Sequence, residues 1–131
     1  MSVVALLVLL VTVLAGVLTL AEFADPRRMA SMPSAVALVA IHVVLALGSA
    51  TVWTIFLVTD STALGWIGFA VIALTAAAGL TLYRRSSQYT AARDAGTQEV
   101  REVSSGLLVV HGAVATVTVV LALVAAIGGG R

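Results

Sequence analysis

The chain contains no cysteine, which excludes a disulfide framework, a thiolate metal site and thiol chemistry. It contains no lysine either, so all seven cations are arginine. Charged residues make up only 10% and aromatic residues 5% of its 131 residues, whereas a soluble domain carries about 25% charge. Proline occurs twice, at Pro26 and Pro33. What remains is apolar: 61% of the chain is hydrophobic. A water-soluble globule of this size has no interior large enough to hide that much apolar surface. Soluble-enzyme and nucleic-acid-binding functions are therefore excluded, and the sequence reads as a membrane protein. The net charge of +1 is uninformative about partners, but the placement of the charges is not.

A membrane-spanning helix needs roughly 20 mostly apolar residues, and four stretches qualify: 3–22, 34–58, 63–83 and 106–127. The runs are continuous and lack the alternation of a membrane barrel. Backbone groups in lipid must pair within their own segment, which leaves the helix. The first run is preceded by no Lys or Arg and exceeds the apolar core of a secretory signal, about 7–15 residues, so a retained helix is expected. The connections are short. FADPRRMASMP places Pro33 at a helix start, TDST centres on Asp60, and a polar loop is expected over 84–105. Short connections favour antiparallel neighbours. The expected fold is all-α: one integral-membrane, up-down-up-down four-helix bundle spanning 1–131, with no internal repeat and no separate soluble domain.

Arginine placement sets the expected orientation. Arg27, Arg28, Arg84, Arg85, Arg93 and Arg101 fall on one side, and only Arg131, with Asp60, on the other. By the positive-inside rule this predicts a multi-pass protein of the inner (plasma) membrane with both termini outside. Glu22 closes the first span beside Asp25, Arg27 and Arg28 and reads as a headgroup-level residue.

Two ionisable residues lie well inside the spans: His42 and His111, the only histidines. An intramembrane ionisable residue is a candidate functional site. The second and fourth helices run in the same direction; His42 precedes Asp60 by 18 residues and His111 precedes Gly128 by 17. At about 1.5 Å per residue the two rings fall at nearly one depth, in the arginine-bearing half. These helices are diagonal in such a bundle. Paired imidazoles on diagonal helices can clamp one haem iron from both faces and leave it no open position. The surfaces nearby suit a flat group. His111, Ala115, Thr118, Ala122 and Ala125 form one small-residue face, and Ala35, His42, Ala46, Ser49 and Trp53 the corresponding one, with Gly112 adjoining His111 and Gly48 adjoining Ser49. Arg84, Arg85 and Arg101 flank the same side and are candidates to pair with haem propionates.

The segments VVHGAVATVTVVLALVAAIG and IHVVLAL resemble small four-helix b-type cytochromes and a group of actinobacterial four-helix membrane proteins. The resemblance implies haem b with His42 and His111 as axial ligands. Many cytochromes of that architecture hold two haems on four histidines; two histidines here imply one haem, working with a quinone or within a larger membrane complex.

A structural reading stands beside this one. Small-residue faces are the ordinary packing surface of membrane helices, and a buried histidine can bond Ser49 or Thr118 across an interface for about 0.6–2 kcal/mol. The chain is then a non-catalytic accessory subunit of a respiratory or transport complex, packed against lipid and larger partners. A stand-alone membrane enzyme or transporter is the weakest reading. The spans carry no interior carboxylate or arginine, and two histidines fall short of the three or four protein ligands of a zinc site.

Overall fold

A computed structural model of the chain describes residues 2–23, 33–93 and 105–129. Among the described residues there are four helices: α1 (Ser2–Phe23), α2 (Pro33–Thr59), α3 (Thr62–Arg93) and α4 (Ser105–Ile127). Each contains a stretch long and apolar enough to cross a bilayer: Ser2–Ala21, Val36–Thr59, Thr62–Arg85 and Gly106–Ile127. The chain is thus a multi-pass, all-α membrane bundle.

The helices pack as a ring. α2 lies most extensively on α3, and α1 on α4; α3 meets α4 less closely, and α1 meets α2 least. The diagonal helices make at most marginal contact. Consecutive helices are antiparallel, as the side-chain register shows. His42 lies opposite Gly79, Trp53 opposite Gly68 and Phe56 opposite Gly65, so α2 and α3 run past each other in opposite senses. The tightest reversal is at Asp60, whose φ of 52° turns the backbone left-handed, a conformation Asp tolerates better than most residues. Asp60 N–H closes α2 onto the Phe56 carbonyl at 2.8 Å, and Gly65 N–H opens α3 on the Ser61 carbonyl at 3.0 Å.

Outward faces are apolar, as lipid requires. Leu7, Leu14, Val44, Leu47, Leu74, Val109 and Val120 are all exposed. The exposed threonines Thr51, Thr54, Thr59, Thr81 and Thr116 each turn the hydroxyl back onto the carbonyl four residues earlier, at 2.8–3.0 Å. Polar side chains thereby face lipid without an unpaired donor.

The Asp60 half of the bundle holds the conventional core. Trp53 and Phe56 are buried at 0% and 1% exposure and meet edge to face, 5.1 Å between centroids. Around them pack Ala5, Leu9, Ile72, Ala122 and Ala125. Trp53 Nε1–H donates to the Ser2 carbonyl at 3.1 Å, which satisfies the one polar atom of a buried indole. A Cβ on Gly68 would fall 2.8 Å from the Trp53 ring, so α3 approaches α2 only because Gly68 has none.

One boundary departs from the sequence expectation. α3 does not stop where its apolar run stops near Tyr83 but continues through Arg84, Arg85 and SSQYTAAR to Arg93. Residues 84–93 of the loop expected over 84–105 are therefore helical, and 94–104 lie outside the described residues. Hydrophobicity marks the depth of the membrane, whereas helix propensity does not follow polarity: Arg, Gln and Ala continue a helix as readily as apolar residues do.

Candidate functional site

The other half of the bundle is built around the two histidines. His42, on α2, and His111, on α4, approach across the centre with ring centroids 6.2 Å apart and planes 75° apart. Both rings are only partly covered by protein. The diagonal placement and the shared depth expected from the spacing are both present.

Each ring rests against a glycine of a neighbouring helix. An added Cβ on Gly79 (α3) would lie 3.0 Å from His42 Cε1, and one on Gly16 (α1) would lie 3.1 Å from His111 Cε1. His42 Nδ1 lies 3.0 Å from the Thr75 backbone carbonyl. A carbonyl only accepts, so Nδ1 carries the proton and the Nε2 lone pair is left bare. Histidines that ligate a metal almost always direct their second ring N–H at such an acceptor. His111 is placed alike but is less complete. The Thr12 backbone lies beside its ring, but His111 Nδ1 is buried with no hydrogen-bond partner among the described residues.

The hydroxyls considered as partners for the rings are engaged elsewhere. Ser49 donates to the Ala46 carbonyl at 2.8 Å. Thr118 meets Thr12 hydroxyl to hydroxyl at 2.8 Å, and each hydroxyl also lies 2.9 Å from the carbonyl four residues earlier on its own helix; with one proton apiece, one of the two donates across while the other donates to its own carbonyl. Ser49 and Thr118 are buried at 0% and 1% exposure and pack one turn beyond Ala46 and Ala115, on the inward faces expected for them.

Other expected contributors do not join the pair. Gly112 is exposed, and a Cβ there would meet nothing within 4 Å. One residue along a helix is about 100° around it, so Gly112 stands to the side of the His111 face. Arg84 and Arg85 are exposed on α3, five and six residues beyond Gly79 on the histidine side. Arg101, Arg27, Arg28 and the Glu22 side chain lie outside the described residues.

The structure also brings out an internal repeat that the sequence reading missed. Val8, Leu9, Thr12, Ala15 and Gly16 of α1 correspond to Val71, Ile72, Thr75, Ala78 and Gly79 of α3, 63 positions on (12 to 75, 16 to 79). Leu38, His42, Ala46 and Ser49 of α2 correspond to Leu107, His111, Ala115 and Thr118 of α4, 69 positions on (42 to 111, 49 to 118). The two hairpins, α1–α2 and α3–α4, play equivalent parts, and each sends its histidine onto the glycine of the other.

Comparison with known protein families, curated proteins and solved structures finds no match. The class of the molecule rests on its own architecture: a four-helix membrane bundle with a central imidazole pair.

Proposed function

We propose that the imidazole pair holds one haem b and that the protein is a membrane electron carrier. The observation that supports this best is the spacing of the rings. Two metal–imidazole bonds of about 2.0–2.1 Å, plus about 1.1 Å from each nitrogen to its ring centre, place coaxial rings about 6.3 Å apart. The observed separation is 6.2 Å. The angle of 75° between planes is compatible, because a ring can turn about its bond to the metal. The bare Nε2 of His42, fixed by the Nδ1–H bond to Thr75, has the tautomer that ligation needs.

His42 and His111 would be the axial ligands, with Ala46, Ser49, Ala115 and Thr118 walling the site. A single occupant between two equivalent half-sites takes one ligand from each. A bis-imidazole haem supplies one-electron transfer and has no open position for oxygen. The chain's own residues then do three things. Thr75 orients one ligand, the apolar bundle excludes water, and Arg84 and Arg85 offer positive charge roughly 7.5–9 Å along the axis from Gly79, within reach of carboxylates at that face. The arginine bias supports placing that face in the cytoplasm, with both termini outside the inner (plasma) membrane. A quinone or a larger membrane complex is the partner that suits such a carrier.

The accessory-subunit reading is favoured by one observation: the His42–Thr75 bond ties α2 to α3 whether or not anything is bound. Absorption spectroscopy separates the two. A carrier purified from haem-replete cells shows sharp visible bands on dithionite reduction, and His42→Ala or His111→Ala removes them. A colourless wild-type preparation refutes the carrier reading.

A further inference from the structure

The pairing of each histidine with a distant glycine defines a device for aiming an imidazole in a membrane interior. In a helix the carbonyl of residue i bonds the N–H of residue i+4, so the side chain at i+4 stands beside that carbonyl. Glycine at i+4 leaves the carbonyl open to a second donor. Thr75 and Gly79 stand in this relation, and so do Thr12 and Gly16. His42 uses both parts of the first pair: Nδ1 lies on the Thr75 carbonyl at 3.0 Å, and Cε1 packs 3.0 Å from where a Gly79 Cβ would stand. His111 fills the Gly16 notch in the same way and lies beside the Thr12 backbone.

The remaining helical glycines of the inner spans do something different. Gly65 and Gly68 accept the Phe56 and Trp53 rings. A Cβ on Gly48 or Gly112 would meet nothing within 4 Å. Among these described glycines only Gly16 and Gly79 meet a titratable ring, and they are the two that correspond under the internal repeat.

We infer that Gly16 and Gly79 are positioning residues for the imidazole pair, each one aiming the histidine of the opposite hairpin: Gly79 aims His42, and Gly16 aims His111. The inference extends the haem reading by naming what orients the two ligands, but its test needs no haem. It also assigns a direction. Each hairpin supplies one ligand and the cradle for the other, so the pair is assembled only when the hairpins dock.

The test is ¹⁵N nuclear magnetic resonance of the full-length chain in detergent micelles, labelled at histidine and produced under haem limitation. Signals are assigned by deleting each histidine in turn. Wild-type His42 is expected as the Nδ1–H tautomer. Gly79→Ala should shift the His42 tautomer ratio by about fivefold, the loss of one net hydrogen bond, and leave the His111 ring resonances in place. Gly16→Ala should move the His111 resonances and leave His42 unchanged. Gly48→Ala should move neither. A general packing role predicts instead that both rings respond together, or that neither responds, and either result overturns the inference.

If a glycine variant fails to fold, the wild-type chain still decides. Cross-relaxation from His42 Hε1 to Gly79 Hα, and from His111 Hε1 to Gly16 Hα, is expected, and its absence overturns the assignment. The two readings fail separately. A colourless protein with the crossed pattern intact removes the haem and keeps the cradles; a haem protein whose histidines ignore Gly16 and Gly79 does the reverse.

Discussion

The two histidines occupy equivalent places yet differ in one respect, and that difference has a measurable consequence. His42 Nδ1 has an acceptor, and His111 Nδ1 has none among the described residues. Leucine fills nearly the volume of imidazole and carries no polar atom. In haem-free protein, His42→Leu removes an interhelical hydrogen bond, a loss of about 0.6–1.7 kcal/mol in membrane proteins. The Thr75 carbonyl keeps its helical bond, so nothing further is stranded. His111→Leu removes a buried, unpartnered polar atom, whose presence costs about 1–3 kcal/mol. Both leucines press on a glycine notch in the same way, so packing changes largely cancel in the comparison. His111→Leu should therefore leave the apo-protein more stable than His42→Leu by about 2 kcal/mol or more, roughly a 30-fold difference in the unfolding constant. Unfolding by sodium dodecyl sulfate in mixed micelles, followed by far-ultraviolet circular dichroism, reads this directly. Equal losses in the two variants, or a larger loss in His111→Leu, would refute the reasoning.

Other outcomes follow from the same contacts. Gly68→Ala forces a Cβ to within 2.8 Å of the Trp53 ring and should destabilise the bundle by about 1–3 kcal/mol; Gly48→Ala, with open space beside it, should be neutral or stabilising by up to about 1 kcal/mol. A double-mutant cycle of Thr12→Val and Thr118→Val, run in the same unfolding assay, should give a coupling near 0.6 kcal/mol, the usual value for an interhelical bond in a membrane. A coupling of zero there would mean that the hydroxyl pair at 2.8 Å contributes nothing across α1 and α4. Because the chain has no cysteine, single-cysteine probes report topology cleanly. In intact cells Ser61→Cys should react with an impermeant maleimide and Ser87→Cys should not, and the opposite pattern would invert the orientation drawn from the arginines.

The transmembrane plan was legible because each span is a continuous apolar run bounded by Pro33, Asp60 or polar clusters, and short connections leave few ways to arrange four such helices. The shared depth of His42 and His111 follows from residue counting, and their diagonal placement from the order of the four helices. The α3 extension to Arg93 was hidden because polarity was taken for the end of a helix. Gly16 and Gly79 were passed over because a glycine in an apolar run looks like packing until a ring is seen filling its notch. The repeat escaped notice because its identities are few and the offset changes from 63 to 69 between the paired helices (12 to 75, 42 to 111). A shared Thr-x-x-Ala-Gly in the odd helices and His-x-x-x-Ala in the even ones was the available signal.

The most direct test of two imidazoles on one iron is electron paramagnetic resonance of the oxidised, purified protein, with iron counted per chain. Rings set 75° apart predict one iron per chain and a strongly anisotropic low-spin ferric signal, absent from His42→Ala and from His111→Ala. A high-spin signal, or a low-spin signal that survives either substitution, would contradict it.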